Sequence, residues 1–515
     1  MKVKPCRYCL VIFFLAALSF SIAYMFMRTA RPKTCKQCNI LLIDIDSLRA
    51  DALPCYGHYR NTASNLCSYA SKSLVFKNNF APAPWTFPSM FSTITSLYPT
   101  FHGLYNQHTD TLLEDVPTLA ETLRSAGYQT AYISNSSGGA QISKENGGSR
   151  GYDTYIIDEP AMHIVNKLIK NERPWFIHYH LSDLHFPYFL PENEKPMENI
   201  SRPPGLSLTT SDFNQQLNDY LKKNYHEIFQ QNTIKEYWQD FNETKRSDKL
   251  ILSDLYHKLC SGPNETKNCT NSWKALYDTY IQSIDVNNPS HTAYLRLLYD
   301  SLIKILDQRL ISLYALLDSR PLVQNTIVVI MSDHGEAFGE HGVFSHNQDY
   351  HTEMFHTPLI IRSPTAPSGI FEQPTSNMDI FPTILDLVEV QKPQGLQGKS
   401  LSGFFNIPTT QTPAFFIISE DYMGGIVIQN QKWLFFLSSK ARSIKESVLH
   451  HKIDDPLEKI NVADRHPRLV QYLYNQASVL RSYGSIIKES KGVPENPKIK
   501  LSPEKIKRMQ EEGYF

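Results

Sequence analysis

The chain has 515 residues, with 51 Lys and Arg against 51 Asp and Glu. That balance leaves no basic surplus to neutralise a phosphate backbone, which argues against bulk nucleic-acid binding. At 41% hydrophobic and 12% aromatic residues, it is long and apolar enough for one large α/β domain with additions, and it carries no internal repeat, heptad run or low-complexity stretch.

Leu10 to Met27 is apolar and uncharged, preceded by Lys2, Lys4 and Arg7 and followed by Arg28, Arg31 and Lys33. It is near the lower length limit for a membrane span and longer than a usual signal-peptide core, and no small-x-small cleavage site follows. The expectation is a single-pass signal anchor, N-terminus cytoplasmic and the rest extracytoplasmic, lumenal or periplasmic; a cleaved signal peptide is the alternative. With its basic tether it forms a first segment, residues 1–38. Beyond it Cys35, Cys38, Cys55, Cys67, Cys260 and Cys269 come in near pairs, and such a compartment permits disulfides. Cys35 and Cys38 also fit a metal knuckle or redox pair, but no second C-x-x-C partners them. Glycosylation acceptors stand at Asn135, Asn199, Asn242, Asn264 and Asn268, the last three clustered as in an exposed insertion.

Asn39 to Ile45 (N-I-L-L-I-D-I) reads as a strand buried on both faces and runs straight into Asp46. Asn65 to Ser71 reads as a short helix and Leu74 to Phe80 as an edge strand. Pro82 and Pro84 forbid regular structure before Trp85, and Pro88 suits the first turn of a helix through Ser96. Thr86 therefore sits at or just before a helix N-terminus, where backbone N–H groups favour an anion; its hydroxyl is a cap or a nucleophile. Val116 to Ala126 is an amphipathic helix closed by Gly127, and Tyr128 to Ser134 is the next strand, in βαβ rhythm. Pro174 to His180 is another strand, with His185 just past its end.

Pro187 to Thr292 is polar and reads as an insertion over the sheet face that shapes substrate access. Ala293 to Leu317 is a long amphipathic helix. Thr326 to Met331 is a β-branched, apolar strand ending in Ser332, Asp333, His334 and a Gly-punctuated loop. An acid beside a histidine at the carboxyl end of a buried strand is where open α/β sheets place ligands, and Asp with His can bind a divalent metal. Two such strands, distant in sequence, can lie side by side and bring Asp46 and Asp333 to one ion. Asp44 shares a face with Asp46 and reads as a supporting group. Glu336 and Glu340 read as solvated or supporting groups, and His341, His351 and His356 as structural. Thr357 to Arg362 is a further strand and Asp379 to Val388 a helix. Phe415 to Ser419, Gly425 to Gln429 and Trp433 to Leu437 read as antiparallel strands, before a terminal helix at Arg468 to Arg481.

Six segments, in order, resemble the sulfatase branch of the alkaline phosphatase superfamily. They are Asn39 to Asp51 with Tyr56-Gly57; Trp85-Thr86-Phe87-Pro88-Ser89 with Leu97-Tyr98-Pro99 and His102-Gly103; His185-Phe186-Pro187-Tyr188; Ser332 to Gly342 with His346; Asp379 to Thr383 with Leu396 to Leu401; and Asp454-Asp455-Pro456 with Glu458 and Asn461. Together they span residues 39 to 465. The resemblance implies an α/β fold: a large, mostly parallel sheet between helices over residues 39–400, the insertion falling at 187–292, then a small antiparallel C-terminal subdomain and tail over 401–515. It implies one divalent metal, a nucleophile at Thr86, and substrate or leaving-group contacts from His185 and His346.

Main-type sulfatases carry Cys or Ser at the nucleophile position, oxidised to formylglycine, with Pro-Ser-Arg after it. This chain has Thr86, whose secondary Cβ cannot give that aldehyde, and Met90 at the Arg position. Ser47 stands where the opening strand has its second acid. The implied ligands are therefore Asp46, Thr86, Asp333 and His334. Fewer carboxylates beside a retained histidine shift preference toward manganese or zinc, with calcium as the alternative. The combination resembles threonine-dependent phosphotransferases of the superfamily. The expected activity is hydrolysis or transfer of a phosphate or sulfate ester through Thr86, on a small-molecule, lipid or glycan substrate. The alternatives are a sulfatase of atypical nucleophile and an inactive binding protein on this fold.

Overall fold

The structure is a computed structural model. It describes residues 34–490 apart from 108–109, 136–141, 158–172, 187, 189, 192–193, 205, 207–282, 320–321, 347–348, 404–415 and 422–423. Most of the polar insertion, Cys260 and Cys269, and the acceptors Asn242, Asn264 and Asn268 lie outside the described residues, as does the expected anchor. Among the described residues no helix is long and apolar enough to cross a membrane.

The strands in chain order are β1 (Asn39–Ile45), β2 (Leu74–Phe80), β3 (Gln129–Ser134), β4 (Thr154–Ile157), β5 (Trp175–Leu181), β6 (Thr326–Met331), β7 (Ala337–Phe338), β8 (Phe344–Ser345), β9 (His356–Arg362), β10 (Gly369–Ser376), β11 (Ile417–Glu420), β12 (Ile426–Gln429), β13 (Trp433–Leu437) and β14 (Val448–His451). Eight of them form one sheet in the order β10-β2-β9-β6-β1-β5-β3-β4. All neighbours run parallel except β9, which is antiparallel to both β2 and β6. The architecture is thus the mostly parallel α/β sheet expected.

Alternation along the central strands sorts side chains onto two faces. Leu41, Ile43 and Ile45, Ile177 and Tyr179, and Val328 and Ile330 join one apolar layer. It is covered by the helices Ser64–Ala70, Pro289–Arg309 and Ile311–Asp318. Ile40, Leu42, Phe176, Ile327, Val329 and Met331 point the other way, against the helices Leu119–Ser125 and Ile380–Leu387. Both faces are closed, which is why β1 and β6 read as nearly continuous apolar runs, broken in β1 by Asp44.

Four expectations need adjusting. Leu74 to Phe80 is not an edge strand, because β10 lies outside it. Pro374 within β10, at a register shift against β2, hid that strand, and an edge is where a strand tolerates a missing N–H. The single helix Ala293 to Leu317 is two, meeting at Leu310. The Leu119–Ser125 helix begins later than expected, at a capping box between Thr118 and Glu121. Cys35 is disulfide-bonded to Cys38, and Cys55 to Cys67, which sets aside the metal-knuckle reading of the first pair.

The C-terminal sheet, β11-β12-β13-β14, is antiparallel throughout. Val470, Leu473, Ala477 and Leu480 of the helix Pro467–Ser490 pack on it. It docks on the large domain through Val427 and Leu434, which meet Phe80, Met354 and Phe355. Glu458 closes the seam by accepting from the Thr352 backbone N–H at 3.0 Å. The paired motifs around Asp379 and Lys399 meet directly: the Asp379 carboxylate accepts from the Lys399 N–H at 2.6 Å and the Ser376 N–H at 2.9 Å.

Candidate active site

β1, β5 and β6 are neighbours, and their registers align the chemistry. Leu42 lies opposite His178, Asp44 opposite His180, and Asp44 also opposite Met331. Parity then puts Asp44, Asp46, His178, His180 and Asp333 on the same face, at the carboxyl ends of the strands, where a parallel sheet leaves backbone groups unpaired and a crevice open.

One ligand atom each from Asp46, Asp333 and His334 lies within 4.8 Å of the others, and all three residues are buried. His334 Nε2 is 3.6 Å from Asp46 Oδ1 and 3.5 Å from Asp333 Oδ2. Thr86 Oγ1 is 3.1 Å from the same His334 nitrogen. Thr86 opens the helix Thr86–Thr95, every residue of which is buried. The Ser89 hydroxyl of its first turn donates to the Asp333 carbonyl and ties the helix to the end of β6.

The loop after β6 is held by the end of β1 and by the Glu353 and Met354 carbonyls, which accept from the Glu336 and Gly335 N–H groups. Ser47, in a left-handed conformation at φ 61°, donates its N–H to Asp333 Oδ1 at 3.1 Å and its hydroxyl to Asp46 Oδ1 at 2.8 Å. It thus supports both acids from the position where the resemblance expected a third. Gly335 is required: a Cβ there would stand 1.8 Å from the Glu353 carbonyl oxygen. His334 Nδ1–H donates to the Gly335 carbonyl at 2.7 Å, so Nε2 presents its lone pair to Thr86 and the two acids. Burial, then the neighbouring His346, push His334 down to about 3 and keep it neutral, the form that accepts or ligates.

His346 and His185 complete the crevice. The His346 ring centroid is 4.5 Å from that of His334 and 5.0 Å from that of His185. Glu336 is not solvated but fully buried, with Oε1 3.2 Å from His346 Nδ1. Burial lowers His346, but Glu336 outweighs it and raises the imidazole above its ordinary value. The six residues Asp46, Thr86, His185, Asp333, His334 and His346 are therefore all brought together.

Two histidines that sequence reading passed over join them. His180 Nδ1 is 3.3 Å from Asp44 Oδ2, and its Nε2 is 3.6 Å from Asp46 Oδ2. Burial lowers His180, yet the two carboxylates push it up to about 10, so it stands as an imidazolium under the site. Burial raises Asp46, but His185, His180 and His334 hold its carboxyl far below the usual range. His178 Nε2 lies 3.8 Å from Asp44 Oδ2. The available signal was the alternation in W-F-I-H-Y-H: two histidines at i and i+2 of a strand buried on both faces, opposite an acid-bearing neighbour.

The site fits a cation. Among the described residues Asp333 Oδ2 is buried with no hydrogen-bond partner, and burial followed by the Asp46 and Asp44 charges raises its pKa well above the ordinary value. An unpaired buried carboxylate oxygen facing a second acid and a neutral imidazole is relieved by a divalent ion.

The large, mostly parallel sheet with its small antiparallel C-terminal sheet is the sulfatase and alkaline phosphatase-like architecture. The family model for sulfatases matches residues 38–390, and the chain belongs to that family. It is 26% identical over 407 residues to an N-acetylglucosamine-6-O-sulfatase of Bacteroides thetaiotaomicron, covering 71% of this chain and 70% of that protein. It is 22% identical over 472 residues to a choline-sulfatase of Rhizobium meliloti, covering 86% and 84%. The fold superposes on the crystal structure of the phosphonate monoester hydrolase of Agrobacterium radiobacter with a TM-score of 0.62 at 18% identity, covering 87% of this chain and 96% of that one.

Proposed function

We propose that the protein is a metal-dependent hydrolase or transferase of phosphate or sulfate esters, with Thr86 as the nucleophile and no formylglycine. The supporting observation is the 3.1 Å contact of Thr86 Oγ1 with His334 Nε2, beside Asp46 and Asp333. Asp46, Asp333 and His334 would hold the cation, with the Thr86 oxygen as a fourth ligand. When bound, a divalent ion there supplies the charge that lets a hydroxyl ionise near neutral pH and offsets charge developing on the ester oxygens. Manganese or zinc suits the two carboxylates and imidazole, with calcium as the alternative.

In this reading Thr86 gives its proton to solvent and its oxygen attacks phosphorus or sulfur in line. The first N–H groups of the Thr86–Thr95 helix face the developing charge. The bond from phosphorus or sulfur to the alcohol oxygen breaks. His346, kept protonated by Glu336, gives that oxygen a proton, and His185 holds the remaining substrate oxygens. Water or a second alcohol then attacks the Thr86 ester and frees the hydroxyl. The relatives named as sulfatases favour a second reading, a sulfuric ester hydrolase with the same atypical nucleophile. The substrate would be a small molecule, lipid or glycan ester, and the chain would be anchored by its N-terminus with the site extracytoplasmic, in keeping with the disulfides Cys35–Cys38 and Cys55–Cys67. Glycosylation would fall at sites other than Asn135, whose amide donates to Asp183 Oδ2 at 2.6 Å and accepts from the Ser182 N–H at 2.9 Å.

The test is turnover of aryl phosphate, phosphodiester and aryl sulfate by the purified chain with manganese, zinc or calcium, paired with mass analysis of the peptide bearing Thr86. A phosphoryl or sulfuryl adduct on Thr86 during turnover is expected. Full activity in Thr86→Ala would remove the nucleophile assignment. Faster turnover of sulfate with a calcium preference would put the second reading first.

A further inference from the structure

We propose that His341, His351 and Glu353 form a second divalent-metal site, of the zinc class, sharing no residue with the Asp46–Asp333–His334 cluster. One ligand atom from each of the three lies within 4.8 Å of the others. His341 belongs to the short turn between β7 and β8, where it is held in the left-handed region at φ 55°. That conformation is costly for a residue with a Cβ, and here it lays the imidazole flat on His351, with ring centroids 3.4 Å apart and an angle of 1° between the planes. Its side chain is only 15% exposed.

The other two residues are prepared for a cation. His351 Nδ1 lies 2.6 Å from Asp349 Oδ1 and 2.7 Å from Oδ2. A carboxylate on one ring nitrogen fixes the tautomer and leaves Nε2 as a lone pair, the arrangement that orients metal-binding histidines. Glu353 has a side chain 9% exposed, and its Oε1, 3.5 Å from His341 Nε2, is buried without a hydrogen-bond partner among the described residues. The nearby Arg49 attracts its charge but gives it no hydrogen bond, since the guanidinium donates to Asp51, Glu340 and the Glu336 carbonyl. Two imidazoles and one carboxylate are a zinc ligand set; calcium and magnesium want oxygens.

The place of the cluster gives it a consequence. It joins the β7–β8 hairpin, which leads into His346, to the turn that docks the C-terminal sheet. Tyr350 stacks on Phe436 of β13 with centroids 4.0 Å apart, and Thr352 donates to Glu458. The His450 ring of β14 is 5.6 Å from that of His351, and its Nε2 is buried without a hydrogen-bond partner among the described residues. A metal held by His341, His351 and Glu353 would clamp the hairpin to this seam and so hold His346 in position.

The experiment uses the full chain carrying Asp333→Asn, which disables the first cluster, stripped by chelator and dialysed against zinc. Roughly one zinc per chain is expected, with thermal stability falling when it is chelated. Adding Glu353→Gln, or His341→Ala, should remove that zinc, and Asp349→Asn should weaken it about 10–100-fold. Cobalt in place of zinc should give the visible absorption of a low-coordinate site, lost with Glu353→Gln. Glu353→Gln preserves shape, so it remains readable if His341→Ala misfolds. If the Asp333→Asn chain holds no zinc, or keeps it unchanged with Glu353→Gln, the proposal is overturned, and Glu353 carries a proton in place of a cation.

Discussion

The two faces of the central sheet come from the same three strands and do opposite work. On one face Leu41, Ile43, Ile45, Ile177, Tyr179, Val328 and Ile330 pack under long helices in an uninterrupted apolar layer. On the other, the strands start apolar with Ile40, Leu42, Phe176 and Ile327, then end in Asp44, Asp46, His178, His180 and Asp333. Buried apolar groups stabilise by leaving water; buried acids and imidazoles do so only when each finds a partner. The first face therefore supports the fold, and the second uses that support to hold mutually repelling acids in place. Asp333 Oδ2, left without a partner, marks where stability yields to function.

Substitutions should separate the two faces cleanly. Thr86→Ala should lower turnover by roughly 10³-fold or more while leaving the urea midpoint nearly unchanged, since it removes a reacting atom and little packing. Ile177→Ala, on the apolar face, should do the reverse. Its cost is about 2–5 kcal/mol in urea unfolding, with turnover per folded molecule retained. If Ile177→Ala abolished turnover without shifting the midpoint, the division between faces would fail.

His180→Gln lies between these extremes. It removes the imidazole that bonds Asp44 and lies beside Asp46, loosening the orientation of a ligand carboxylate, and metal affinity measured by chelator competition should weaken by about 10–100-fold. The smallest effect is a displaced pH profile. Glu336 raises His346, so wild-type His346 stays protonated to higher pH. In Glu336→Gln the proton leaves earlier, and the alkaline limb of turnover should move toward lower pH with the acid limb in place. An unmoved alkaline limb would take His346 out of the proton-donating role.

Much of this was legible from residues alone. The parity of β1 already put Asp44 and Asp46 together, and the abrupt end of β6 at Ser332 already pointed to Asp333 and His334. Pro88 one turn into a helix placed Thr86 at its start. Other groups take their role from a neighbour that local pattern does not reveal. His178 and His180 look like ordinary strand residues until β5 is set beside β1, and His185, the more conspicuous histidine, drew the attention. Glu336 read as either solvated or supporting, and the fold of its loop around Gly335 decides for the second by burying it against His346. β10 was hidden by Pro374, a residue that disfavours a strand unless the strand is an edge. His341 and His351, read as structural, became a candidate ligand pair only once the β7–β8 turn stacked one on the other.

The linear chain determined the central elements, their two-sided burial and the identity of most of the reactive groups, because periodicity and side-chain chemistry are local properties. Register and strand order were decided only by tertiary structure, because they depend on which distant segments share a face. A one-residue slip between β1 and β5 would turn His180 into the apolar layer and leave Asp44 without its partner.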